Sequence, residues 1–334
     1  MADKNISPDN EKSLAFKPPD VKILFFQILI MKGFPVSNQT IELINSYNET
    51  TYEERKAPAT PLKMPTHWPA SLFIAGVHLA SIAAFFTFSW KALAVCVVFH
   101  WITGGLGITL GYHRLLTHRS LKVPKAVEYF LALCGSLACQ GGPISWVTAH
   151  RMHHAYSDKE GDPHSPRKGF FWSHMGWCLV SNKEIESPEV QARLAPDLVR
   201  DPGMVFLNNT HILWTILLAI GLYAWGGWSF VVWGVFLRLV LVYHCTWFVN
   251  SAAHIWGYKT YKSSDDSTNC WWVALLTYGE GWHNNHHAFQ YSAKHGLQWW
   301  EFDSTYLMIQ FLRFFRLAEA IKLPSARLLA EKTK

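Results

Sequence analysis

His150-Arg-Met-His-His154 sets three histidines at i, i+3 and i+4, which is one face of a helical turn. The same spacing returns at His283-Asn-Asn-His286-His287, and a looser pair, His113 and His118, comes earlier. Long apolar stretches separate the three groups, so only a fold can bring them together. Imidazole nitrogen suits iron, copper, zinc and nickel, and a single zinc ion takes about four ligands. The groups supply His113, His118, His150, His153, His154, His283, His286 and His287. His254 adds a ninth imidazole, with Asn250 one helical turn before it. Nine are too many for one ion and enough for two. Asn250 is expected to bind directly or through water.

The apolar stretches make the chain a membrane protein. Half of its 334 residues are hydrophobic, with 17 Trp and 21 Phe, and 16% are charged. A soluble domain carries roughly 25% charged residues. Mean hydropathy is near zero, so a membrane part is joined to a sizeable polar part. Four stretches approach the ~20 apolar residues that span a bilayer: 68–88, 91–112, 208–225 and 228–249. The links within each pair are Ser89-Trp90-Lys91 and Gly226-Gly227, so the expected fold is all-α, two helical hairpins with a polar helical cap. Gly104, Gly105, Gly107 and Gly111 in the second stretch let helices approach closely. Segments 21–33 and 127–139 are apolar but too short to span. Pro143 should break or bend the helix before Trp146 starts the next one.

Nearly all Lys and Arg lie outside the hairpin tips, which hold only Lys91. The positive-inside rule then puts both termini and every histidine group on the cytoplasmic side. Residues 1–19 are polar and show no secretory signal. The sequons at Asn38 and Asn48 are discounted on this topology, residues 1–20 read as a tail, and 35–69 as an approach to the membrane. Six cysteines without a CxxC pattern are expected to be free thiols in a reducing compartment. The net charge of +6 shows no basic stripe with interleaved aromatics, so no nucleic-acid partner is expected. An anionic membrane surface or an acidic electron carrier fits better. Arg238 inside the fourth stretch is expected to find an ion pair or carbonyl contacts.

Hydrolytic two-metal sites usually bridge their ions with carboxylates, and these boxes hold none, which favours oxygen chemistry. Glu280, Asp158, Asp162 and Asp265 are candidates to orient ligand imidazoles through the second ring nitrogen. His67, His78, His100, His164, His174, His211, His244 and His295 take an ordinary structural reading. A haem between His78, His100 and His244 is the one non-enzymatic alternative.

With GYHRLLTHRS, DPHSPRKGFFWSHMGW, NSAAHIWGY and GEGWHNNHHAF also present, the chain resembles the membrane fatty acid desaturases of the delta-9 type, over about 68–324. The wording is closest to cyanobacterial acyl-lipid enzymes and their plant relatives. The resemblance implies four membrane helices and a cytosolic cap, with 1–67 as an N-terminal extension and 325–334 as a tail. It implies two iron ions on the nine histidines, with a water linked to Asn250. It implies O2 as oxidant, a cis double bond as product, and ferredoxin or cytochrome b5 as a separate electron donor. For a cyanobacterial chain it implies a thylakoid or plasma-membrane location. Gln140, Trp146, Thr246 and Trp247 match positions that shape a bend in the acyl tunnel. Where the animal acyl-CoA enzymes carry charged CoA contacts, this chain has Thr148-Ala149 and Ser181-Asn182. A CoA phosphate without Lys or Arg is poorly held, so a membrane glycerolipid is the expected substrate, acyl-CoA the alternative. A di-iron acyl hydroxylase is the competing enzyme reading.

Overall fold

The computed structural model describes residues 64–333. The expectations for the tail 1–20, the apolar segment 21–33, the two sequons and most of 35–69 fall outside those residues. Among the described residues the protein is helical, with isolated β-bridges and no strand.

Three helical stretches are long and apolar enough to cross a bilayer: Trp68–Phe86, Trp90–Thr117 and Pro202–His254. Helix α1, Trp68–Ser81, starts at a His67 cap whose Nδ1 accepts from the Ala70 amide at 3.0 Å. It tightens into a 3₁₀ turn over Ile82–Phe86. Ser89 Oγ then accepts from the Ala92 amide at 3.1 Å and starts α2, Trp90–His100.

α2 runs without a break into an i→i+5 helix over Trp101–Thr117. Such π-helical turns are rare and usually short. Here the wider ladder is packed from outside. Helix α3, Lys125–Ser136, lies so close that a Cβ on Gly107 would stand 2.5 Å from the Cys134 carbonyl. One on Gly111 would stand 2.9 Å from the Leu131 carbonyl oxygen. The glycines are there for close approach, as their composition suggested. The short apolar segment near 127–139 is this α3, packed on the second stretch.

Helix α4, Pro143–Tyr156, carries the central histidine box. The preceding helix has ended at Ser136, as the expected break requires, but the next one starts at Pro143 itself and not at Trp146, because the missing N–H of Pro costs nothing in the first helical turn. Asn208 Oδ1 accepts from the Ile144 and Ser145 amides at 3.1 and 3.2 Å and pins this end.

The third apolar stretch begins with α5, Pro202–Val231, capped by Asp201. It leaves helical geometry at Gly226 (φ −147°) and Gly227 (φ 66°, ψ −159°). The second conformation is essentially glycine-only. The chain turns back there, and the arms touch: a Cβ on Gly234 would meet Leu222 Cδ1 at 2.6 Å and Val95 Cγ1 at 2.8 Å. A second i→i+5 segment, Val232–Leu237, leads into α6, Arg238–Asn250. Fully buried Arg238 donates Nε to the Gly234 carbonyl at 3.0 Å and Nη1 to the Leu137 carbonyl at 2.7 Å. Of the two partners expected for it, the structure shows carbonyls. The turns expose Phe85, Phe86, Trp90, Trp225 and Trp228, an aromatic clustering typical of a membrane interface.

Two further helices matter for the site: α7, His283–Ala288, and α8, Ser304–Phe314. All six cysteines are free thiols.

Candidate metal centre

The wide helical ladder has a direct consequence for His113 and His118. On an α-helix, residues five apart diverge around the axis. In an i→i+5 ladder they advance little more than one turn. The His118 amide donates to the His113 carbonyl at 3.2 Å, and the two rings stand 4.8 Å apart by their centroids. The H-x4-H spacing therefore becomes one face because the segment is π-helical.

α4 presents His150, His153 and His154. α7 presents His283, His286 and His287, although six residues make a poor helix alone. Its two asparagines anchor it. Asn284 Oδ1 accepts from the Thr260 and Tyr261 amides at 2.8 and 2.9 Å. Asn285 Nδ2 donates to Glu301 Oε2 at 2.7 Å and to the His295 carbonyl at 2.8 Å.

The nine histidines gather into two groups, five and four. His113, His118, His150, His154 and His286 form one, and His153, His254, His283 and His287 the other, with candidate ligand atoms within 4.8 Å of each other in each. In the first, His286 Nε2 lies 3.1 Å from His113 Nε2 and 3.0 Å from His154 Nε2, which lies 3.0 Å from His150 Nε2. In the second, His283 and His254 meet at 3.1 Å, and His153 and His287 at 3.4 Å, all through Nε2. Two imidazole nitrogens bound at about 2.1 Å to one ion stand roughly 3.0–3.4 Å apart, so these separations fit a shared cation. Protons fit them poorly, because one N–H cannot serve several converging nitrogens at once.

Protonation agrees. Burial, then the neighbouring imidazoles, hold His118, His150, His154, His283 and His286 well below the ordinary histidine pKa. Burial also outweighs Asp265 at His287, held at about 4. Neutral rings keep the lone pair a metal needs.

Carboxylates stand behind four of these rings. Asp162 Oδ1 is 3.0 Å from His153 Nδ1, and Asp265 Oδ2 is 2.7 Å from His287 Nδ1. Asp158 Oδ2 is 3.4 Å from His254 Nδ1, and Glu280 Oε2 is 2.7 Å from His113 Nδ1. Burial alone would raise the Glu280 carboxyl, but Arg114, His295 and His113 hold it well below its usual range. Arg114 donates Nε to Glu280 at 3.0 Å and Nη1 to Asp303 at 2.9 Å.

A cavity reaches this centre. His113, His150 and His283 line it beside Asn250, Trp146 and Thr246. Gln140 is one step behind: its Nε2 donates to Thr246 Oγ1 at 2.9 Å, and Trp146 Nε1 donates to its Oε1 at 3.4 Å. Trp247 is elsewhere. Successive helix residues diverge by about 100°, and Trp247 packs on Tyr243, with ring centroids 5.3 Å apart. Of the four tunnel positions, Trp146 and Thr246 line this cavity, and Gln140 and Trp247 do not.

The ordinary reading of two histidines needs revision. His164 stacks on His153 at 4.3 Å, and His295 lies 4.4 Å from His286 with Nδ1 2.8 Å from Glu280. His164 sits in the quoted DPHS string. His295 lies in a loop where no spacing marks it. Arg114 and Asp303 also went unread, since a buried ion pair across the chain leaves no local pattern. His78 and His244, two of the histidines of the haem alternative, meet at 3.2 Å through Nε2, while His100 bonds Tyr278. At the former CoA positions Thr148 and Ala149 are buried, and Asn182 caps Lys183–Glu186.

The family profile for fatty acid desaturases matches residues 88–317. The sn-1 stearoyl-lipid 9-desaturase of Anabaena variabilis is 55% identical over 268 residues, 79% of this chain and 97% of the relative. The enzyme of the same name from Synechocystis sp. is 52% identical over 272 residues, 81% of this chain and 85% of the relative. An acyl-CoA C20 Delta5-desaturase of Anemone leveillei is 47% identical over 254 residues, 76% of this chain and 81% of the relative.

Proposed function

The chain belongs to the fatty acid desaturase family, and from that premise we propose that it introduces a cis delta-9 double bond into a saturated chain such as stearoyl, esterified to a membrane glycerolipid. The observation that carries this reading is the pair of imidazole clusters, one buried and one buried to half-buried, on a largely apolar cavity.

His113, His118, His150, His154 and His286 would hold one iron ion, and His153, His254, His283 and His287 the other, with Asn250 acting through a water. When bound, the irons supply the oxidising power of O2. Overall, two neighbouring methylenes lose two hydrogens, and O2 with two electrons and two protons leaves as two waters. The chain's own residues do the positioning. Asp162, Asp265, Asp158 and Glu280 fix the rings through Nδ1, which keeps Nε2 directed inward. Trp146 stacks on His150 at 5.0 Å and walls the cavity, and Gln140 links Trp146 to Thr246 from behind that wall. A fixed chain path decides which C–H bonds reach the oxidant. Trp247 supports that wall through α6.

The same reading takes Gly226-Gly227 as the turn between two spans, giving four, with the site and termini cytoplasmic. The desaturase domain would then run over 68–324, and ferredoxin or cytochrome b5 would be the separate electron donor. The glycerolipid is favoured by the stearoyl-lipid relatives and by the buried, uncharged Thr148-Ala149. The purified enzyme, with donor and O2, should desaturate stearoyl glycerolipid in vesicles. Rapid turnover of stearoyl-CoA with none of the lipid would refute the substrate assignment.

A further inference from the structure

The carboxylates behind the nine rings are divided unequally between the two histidine groups. In the group of His153, His254, His283 and His287, every ring but His283 meets an aspartate. Asp162 stands 3.0 Å from His153, Asp265 2.7 Å from His287 and Asp158 3.4 Å from His254. All three aspartates are buried. Among the described residues their ion-pair partners are histidines, His164 included, at 3.9 Å from Asp162. Nearby cations are engaged elsewhere. Lys259 Nζ donates to the backbone carbonyl of Asp265 at 2.6 Å, and Arg167 pairs with Asp266 at 2.8 Å.

The five-histidine group is backed differently. His113 meets Glu280 at 2.7 Å, while Nδ1 of His154 and of His286 is buried without a partner. Glu280 is moreover neutralised. Fully buried Arg114 donates Nε to it at 3.0 Å. Arg114 reaches Asp303 through Nη1 at 2.9 Å, and the oxygens of Asp303 also accept from the amides of His295, Gly296 and Tyr306. Three negative charges thus stand against four rings in one group. In the other, the Glu280–Arg114–Asp303 cluster leaves a net of one against five.

Neutral imidazoles bring no charge of their own, so these neighbours set the electrostatic difference between the sites. A carboxylate on the second nitrogen makes a ligand ring more basic. It also favours the more highly charged ion by direct Coulomb attraction, little weakened in a buried site. An imbalance of two unit charges acting across an imidazole is worth at least about tenfold in a one-electron equilibrium.

We propose that Asp158, Asp162 and Asp265 make the four-histidine site favour ferric iron, and that Arg114, by neutralising Glu280, leaves the five-histidine site favouring ferrous iron. Each site takes one electron from a one-electron donor, Fe3+ becoming Fe2+, and the five-histidine site takes it first. The inference rests on the di-iron reading above and adds to it the inequality of the two irons.

The test uses the purified full chain, saturated with iron and oxidised to the all-ferric form. It is titrated without O2 or lipid against a one-electron reductant and followed by Mössbauer and electron paramagnetic resonance spectra. Two steps are expected, at least about tenfold apart, which is about 59 mV for one electron. Any adjacent pair of ions splits to some extent, so the variants decide. Asp162→Asn and Asp265→Asn should each raise the lower-potential step by at least about 59 mV and draw the two together. Either carries the test if the other does not accumulate. Glu280→Gln should raise the upper step and draw the two apart, and Asp162→Glu, which keeps the charge, should keep the order. Coincident steps in the unaltered chain, or aspartate variants that move the upper step, would overturn the inference and leave the desaturase reading standing. A chain that binds no iron would overturn both.

Discussion

At the residue scale, His153 and His287 show how the site is assembled. Each directs Nε2 to the other at 3.4 Å and Nδ1 to an aspartate at 3.0 or 2.7 Å. Asp265→Asn, which keeps shape and removes charge, should weaken iron binding about 10–100-fold, read by metal titration of the metal-free chain. Equal affinity would show that the contact orients nothing. His150→Ala should abolish turnover. His67→Ala removes the cap on α1, about 1 kcal/mol, and a long contact to Glu186 away from the metal centre, and should stay active. Acid should act on the metal-free protein in one direction. Burial holds His287 at about 4 and His164 at about 3, below the 6.5 of an exposed ring. The unfolded chain takes up protons as pH falls through 6.5 and the native chain does not. Stability present above that value is therefore lost progressively toward pH 4. Asp162 and Asp265, held low by their histidines against the burial that would raise them, add losses at still lower pH. Tm should fall steadily on acidification from about pH 7.5 to 5, and a rising Tm would contradict this. The histidine groups were legible because their spacing is local. His295, Arg114 and Asp303 were not, since each meets the site across the chain.

At the element scale, helices and glycines were readable from composition, but helix type was not. Nothing in Trp101–Thr117 announces an i→i+5 ladder, because hydrophobic runs look alike at either pitch. Yet that pitch puts His113 and His118 on one face and lines the cavity from His113 to His100. Packing sets it: α3 leaves no room for a side chain at Gly107. Gly107→Ala should cost about 1–3 kcal/mol by overpacking and lower iron occupancy through His113. Gly227→Ala should cost a similar ~1–3 kcal/mol through its backbone conformation, with iron occupancy of the folded protein unchanged. Thermal unfolding with iron analysis separates the two, and equal iron loss in both would contradict the account. Neighbouring positions on one helix also part ways here: Thr246 lines the cavity while Trp247 packs on Tyr243 of the same helix.

At the scale of the whole molecule, the hairpins and the histidine groups divide the chain into turn ends and a metal end. The proposed topology puts Lys91 and Trp228 on one side of the membrane and Lys183 on the other. Single cysteines at 91 and 228, in a background without the native six, should react with an impermeant thiol reagent from the side opposite to a cysteine at 183. Labelling of all three from one side would break the four-span arrangement. The expectation of this plan rests on the alternation of apolar and charged stretches in the sequence. The division of nine histidines into five and four was not legible there, because it depends on which faces α4 and α7 turn to each other.

The central claim is that this arrangement desaturates a lipid-bound acyl chain, and the most direct measurement is the position and chemistry of the change in host glycerolipids. Expression in a desaturase-deficient host, followed by mass spectrometry of intact lipids and positional analysis of their double bonds, should give delta-9 monoenes two hydrogens lighter than their precursors, absent in His150→Ala. Hydroxylated chains heavier by one oxygen, or glycerolipids left saturated by an accumulated, iron-loaded enzyme, would contradict it.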